Sequence, residues 1–93
     1  MTLKKIEELR RRIAELRVQG QVSSRELEGL AEAVGRQKRK TGKHPMYVLK
    51  ARPPLSIPHH SQPLKRRTKD SILTTLESDL ATKEEELRNE RTR

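Results

Sequence analysis

The sequence predicts a small α+β domain, with helices on one face of a short antiparallel sheet and an extra helix at the N-terminus. Three observations lead there. Apolar residues recur at helical spacing in three stretches, near 3–18, 23–34 and 68–80. Between the second and third stretches, Met46–Leu49 and Leu55–Ile57 have strand character and are bounded by glycine and proline. A chain of 93 residues holds one such domain and not two, and its hydrophobic fraction of 30% makes for a thin core.

The first helix places Leu3, Ile6, Leu9, Ile13 and Leu16 on one stripe, with Thr2 as N-cap and Gly20 as its stop. Such a stripe docks on a second helix of the chain or on a second copy, giving a homo-oligomer. Val22-Ser23-Ser24-Arg25-Glu26-Leu27 is a helix start. Ser23 and Glu26 form a capping box, and Val22 and Leu27 form a hydrophobic staple. Leu27, Leu30, Ala31 and Val34 then face one way, and Gly35 ends the helix. The short link between the two helices predicts an αα-hairpin.

Residues 36–41 read only as a polar stretch, with a turn at Gly42-Lys43. Two or three short strands follow. Pro53, Pro54 and Pro58 suit strand ends, where a missing amide removes no ladder bond. The last helix opens with Thr68 as N-cap and buries Ile72, Leu73, Leu76 and Leu80. Beyond residue 81 the chain is almost entirely charged, and 82–93 is expected to be a charged helical or disordered tail.

Charge is distributed unevenly. The net charge is +9. Between Arg36 and Lys69 there is no acidic residue, while eleven Lys and Arg and all three histidines lie there; the flanks sum to −2. A globular fold has no need of such segregation, which is the footprint of a polyanion, nucleic acid above all. Arg36, Lys38, Arg39, Lys40, Lys50, Lys65, Arg66, Arg67 and Lys69 are the candidate RNA-binding cations. Lys65-Arg66-Arg67, ahead of a helix, would also add to its N-terminal dipole and attract phosphate. Cysteine is absent, so disulfides and thiolate metal sites are excluded. With no acid in the zone, and with His59 and His60 adjacent on an extended chain, a metal site is disfavoured and no cofactor is expected. No apolar run suggests a signal sequence or a membrane span, so a cytoplasmic protein is expected.

Read in order, these segments resemble the HicA family of bacterial toxins, small ribonucleases that cleave mRNA. The family pattern is a helix, a glycine, a basic strand, Gly-Ser-His, a strand, Val-Pro-x-His, then Leu-Lys-x-x-Thr and a helix opening on an isoleucine-leucine pair. Here those elements are Gly35, Gly42-Lys43-His44, Ile57-Pro58-His59-His60, Leu64-Lys65-Arg66-Arg67-Thr68 and Ser71-Ile72-Leu73. The match spans about Leu27 to Leu80. It divides the chain into an N-terminal extension (1–21), a HicA-like α-β-β-β-α domain (22–81) and the tail (82–93). The resemblance implies a fold like a double-stranded-RNA-binding domain, a catalytic histidine at His44 and a HicB-like antitoxin as partner. Lys43 stands where the family has serine, and Pro45 follows His44.

The chemistry expected of such a site needs little. The 2′-hydroxyl of RNA is the nucleophile. The surrounding cations favour a neutral imidazole at His44, which can accept the hydroxyl proton. Lys43 would stabilise charge on the phosphate oxygens, and His60 would support the reaction as positioning group or acid, with His59 pointing away. Two other readings keep the charge pattern without the chemistry: a basic nucleic-acid-binding module, and a structural subunit that binds an acidic protein through the same patch.

Overall fold

A computed structural model describes residues 1–41, 44–58 and 62–91, of which residues 41, 44 and 91 are described by backbone only. It is an α+β protein with three helices and one antiparallel sheet. The order is α1 (Leu3–Val18), α2 (Ser24–Val34), β1 (Gln37–Thr41), β2 (His44–Val48), β3 (Leu55–Ser56) and α3 (Arg66–Arg91). The strands lie in the order β1-β2-β3.

Two of the three predicted helix starts form as expected. The Thr2 hydroxyl accepts from the Lys5 amide at 3.1 Å. The Ser23 hydroxyl accepts from the Glu26 amide, and the Glu26 carboxylate accepts from the Ser23 amide at 2.8 Å. That bond holds the Glu26 carboxyl below its usual range against the opposing effect of burial. Gly35 closes α2 in the left-handed region at φ 114°, and the Arg36 amide reaches back to the Ala31 carbonyl at 3.0 Å. A side chain at position 35 would be strained by that φ and would meet the Lys83 ammonium.

The ends of α1 and α3 differ from expectation. Helix α1 stops at Val18 with Gln19 as its cap, ahead of Gly20. Helix α3 begins at Arg66, so Thr68 lies inside the first turn and is not the N-cap. The preceding segment is pinned where the Leu64 amide donates to the Val22 carbonyl at 3.0 Å, and the good helix formers of 65–67 carry the helix back to that anchor.

The core joins all three helices to one face of the sheet. Ile6, Leu9, Ile13 and Leu16 of α1 pack with Leu27, Leu30, Ala31 and Val34 of α2 and with Ile72, Leu73, Leu76 and Leu80 of α3. Tyr47, opposite Leu55 in the β2–β3 register, closes this core from the sheet side. Its phenol is pushed up to about 12 by burial and then by the carboxylates of Glu28 and Glu32. On the other face of the sheet Met46 and Val48 are half-buried, and Gln37 and Arg39 are exposed.

The apolar stripe of α1 is covered within the chain, chiefly by α3 and only lightly by α2. The α1–α2 hairpin is thus subordinate to an antiparallel α1–α3 pair. Arg17 binds Asp70, Thr74 and Glu77 of α3, and Arg10 donates to Glu84 at 2.7 Å. The Arg10 bond draws the Glu84 carboxyl below its usual range. Leu3 and Leu87 pack at the far end, so residues 82–91 continue α3 as helix. Of the two expected partners for the stripe, a second helix and a second copy, the second helix is α3 of the same chain. No helix among the described residues is long and apolar enough to cross a membrane.

Candidate nucleic-acid interface

The basic stretch after Gly35 forms a strand although it contains no apolar residue. Gln37–Thr41 pairs with Val48–His44 through five consecutive residues, and Thr41 faces His44 where the two strands join. Pairing supplies the stability that β-propensity does not. Lys38, Arg39 and Lys40 are all exposed and form no ion pair among the described residues. Lys38 and Lys40 lie on the face opposite to Arg39.

His44 is the first residue of β2. Strand β3 runs antiparallel to β2 with Met46 opposite Ser56, so the chain after Ser56 heads toward the His44 end of the sheet. There the Pro58 carbonyl accepts a hydrogen bond from the Ser24 hydroxyl at the start of α2. The Leu64 amide, donating to Val22, brings the start of α3 to the same end. The topology thus gathers the His44 backbone, Lys40 and the exposed Lys65, Arg66 and Arg67 at one end of the molecule. Arg66 has 88% of its side chain exposed and, among the described residues, only a long i,i+4 contact to Asp70. Gly42-Lys43, where a turn is expected, and His59-His60-Ser61 hold two of the expected support residues and lie outside the described residues.

Lys50 does not join this cluster. It sits beyond Val48 at the opposite end of β2, exposed, where it lines a groove with Gly35, Gln37, Arg39, Val48 and Leu49.

Two expected RNA contacts are corrected. Arg36 is 2% exposed. Its guanidinium donates to both Asp79 oxygens, at 2.7 and 3.0 Å, and to the carbonyls of Tyr47 and Pro53, at 2.8 and 2.9 Å. Four of its five N–H donors are bonded within the protein. Lys69 is 5% exposed, and its ammonium donates to the carbonyls of Arg17 and Gln19 at the C-terminus of α1, at 2.9 and 3.1 Å. It satisfies carbonyls that a helix end leaves without partners. Neither residue can reach a phosphate.

A third cation, Arg52, is drawn into the same network, donating to Asp79 at 2.9 Å and to the Ser78 hydroxyl at 2.7 Å. Asp79 is therefore the buried anion that two cations of the basic zone require. A signal for it exists in the sequence. Asp79 interrupts the apolar stripe of α3 three residues after Leu76 and beside Leu80, and a lone acid on a buried stripe demands a cationic partner. By the same logic Lys69, three and four residues before Ile72 and Leu73, lies on the buried face of α3.

Helix α2 bears on the mode of binding. Glu26, Glu28 and Glu32 lie on it against the single cation Arg25. A phosphate backbone laid along α2 would meet like charges, so the surface that favours a polyanion is the His44 end of the sheet with β1 and the start of α3. Compared with known proteins, the chain matches no family model, no curated protein and no solved structure.

Proposed function

We propose that this chain is a HicA-like toxin of a toxin–antitoxin pair, a metal-independent endoribonuclease that cleaves mRNA with His44 and is neutralised by a HicB-like antitoxin. The observation that carries the reading is the gathering of the His44 end of β2 with Lys40 and the cations at the start of α3. The ordered motifs from Gly35 to Leu73 support it. The succession α2-β1-β2-β3-α3 is also the one expected of a double-stranded-RNA-binding-like fold.

The reaction follows from the residues. A neutral His44 imidazole takes the proton of the ribose 2′-hydroxyl. The oxygen attacks the adjacent phosphorus, and the bond to the 5′-oxygen of the next nucleotide breaks. The products are a 2′,3′-cyclic phosphate and a 5′-hydroxyl, whose proton comes from His60 or the imidazolium of His44. Lys43 and the neighbouring cations stabilise the charge that grows on the phosphate oxygens.

The test is a gel assay of the wild type and His44→Ala on one RNA and its DNA counterpart. Cleavage of RNA is expected to fall roughly 10²-fold or more in the variant, the usual contribution of a general acid or base. DNA, lacking the 2′-hydroxyl, stays intact, and EDTA has no effect. Equal cleavage by both proteins removes His44 from the role. A second reading, a basic nucleic-acid-binding module without catalysis, is favoured by one observation: Lys38, Arg39 and Lys40 stay exposed on β1 whatever His44 does. Binding without any cleavage by the wild type would select it.

A further inference from the structure

The two edges of the sheet are built differently. Strand β3 has two residues, with Pro53-Pro54 before it and Pro58 soon after. Short length and proline are common ways to blunt an edge. Strand β1 has neither. Its five residues pair with β2 without a bulge, and no proline interrupts them. Residues Gln37–Lys40 are exposed, and no backbone hydrogen bond reaches their outer side among the described residues. A straight row of free amides and carbonyls is a template for another strand.

Only charge guards this edge, and charge selects. A second copy pairing antiparallel about Arg39 would set Arg39 against Arg39 and Lys38 against Lys40. Like charges directly opposite on paired strands destabilise, and opposite charges stabilise. The residues beside the edge extend the argument. On one face Lys38 and Lys40 stand two residues apart, the spacing of alternate side chains on a partner strand. On the other face Arg39 borders the groove that also holds the half-buried Val48 and Leu49.

We infer that the outer edge of β1 takes an extended acidic segment of a partner protein by strand addition. Main-chain hydrogen bonds supply the affinity, and Lys38, Arg39 and Lys40 select carboxylate side chains. His44 plays no part, so this inference stands or falls separately from the ribonuclease reading. A nucleic acid drawn to the same cations would engage their side chains and leave the outer amides of β1 unpaired. That difference makes the two occupants distinguishable.

The experiment uses the full chain, labelled for NMR, and a capped seven-residue peptide of alternating Glu and Thr. Binding is expected to slow amide exchange within 37–41 at least about tenfold. N-methylating the peptide amides that would meet β1 keeps every charge and removes two or more main-chain bonds. Their loss weakens binding about thirtyfold or more. A Lys–Thr peptide should not bind. The variant Lys38→Glu/Arg39→Glu/Lys40→Glu should exchange the two preferences, taking the Lys–Thr peptide and losing the Glu–Thr one. Equal affinity of the methylated and unmethylated peptides would overturn the inference, leaving charge alone. So would protection that appears anywhere but β1. These measurements on the wild type decide the matter even if the triple variant does not fold.

Discussion

Replacing Asp79 by alanine removes the one anion that Arg36 and Arg52 share. Both Arg36 and Asp79 have fully buried side chains, and their two bonds measure 2.7 and 3.0 Å. Without the carboxylate, Nη1 of Arg36 keeps the Tyr47 and Pro53 carbonyls, while Nε and Nη2 face the core with nothing to accept from them. Arg52 suffers less, because a quarter of its side chain already meets solvent and Ser78 remains as acceptor. Breaking a buried pair by removing one partner costs about 3–5 kcal/mol. Small domains hold only about 5–15 kcal/mol in total, so Asp79→Ala should take away a large share of the stability. The matching fall in melting temperature is about 12–40 °C for a chain of this size.

The assay is urea unfolding followed by helical circular dichroism, with the slope compared between variants to confirm a two-state transition. The double variant Arg36→Met/Asp79→Leu supplies the sign of the argument. With both charges gone and the volume kept, the penalty of the unpaired charge disappears, and what remains is the loss of a donor at the Tyr47 and Pro53 carbonyls, about 1–3 kcal/mol each. A loss below about 1 kcal/mol for Asp79→Ala would refute the account of a buried charge left without its partner.

The placement of the cations gives two predictions and the α2 cap a third. Replacing Lys38, Arg39 and Lys40 by alanine should weaken binding to single-stranded RNA and flatten its salt dependence by about two units of log–log slope, as three lost phosphate contacts require. By contrast Lys69→Met should leave RNA binding and its salt slope unchanged while lowering stability by about 1–3 kcal/mol, the effect of two buried carbonyls losing their donor. A titration across sodium chloride concentrations, beside a melt of each variant, separates the two. In the Ser23–Glu26 box the Glu26 carboxyl lies below its ordinary value of 4.5 in the folded chain. Its contribution is therefore fully present above that value and is lost as pH falls through the lower folded-state value. Glu26→Gln should be less stable than the wild type by about 0.5–1 kcal/mol at pH 7, and the gap should close on acidification below about pH 4. A gap that stays constant down to pH 2 would remove the carboxylate from the cap.

The helices were legible because their signals are local. The Ser23–Glu26 box, the Val22–Leu27 staple and Gly35 act within one or two turns, so residues 22–35 carry their own instructions. The stripes of α1 and α3 were readable for the same reason, since a period of 3.6 residues needs no partner to be seen. What a stripe packs against is a different kind of fact. Helix α1 chose α3 over the neighbouring α2 because α3 is long enough, from Leu73 to Leu87, to match it along its whole length and to answer Arg10 and Arg17 with carboxylates. Strand β1 likewise exists through β2, since in Gln-Lys-Arg-Lys-Thr only the final threonine favours a strand by its own propensity.

Charge shows the division most clearly. The acid-free zone from Arg36 to Lys69 is a property of the sequence, and it pointed to a polyanion before any contact was known. Composition counts cations without saying which way they face. Folding turned Arg36 and Lys69 inward, onto an acid 43 residues away and onto carbonyls of a helix 50 residues away, and it left Lys38, Arg39, Lys40, Lys65, Arg66 and Arg67 in solvent. Long-range burial decides whether a charge is a ligand for the solvent side or a fastener of the core. Net charge is a sum along the chain, but a field at a surface depends on where the chain has put each of its terms.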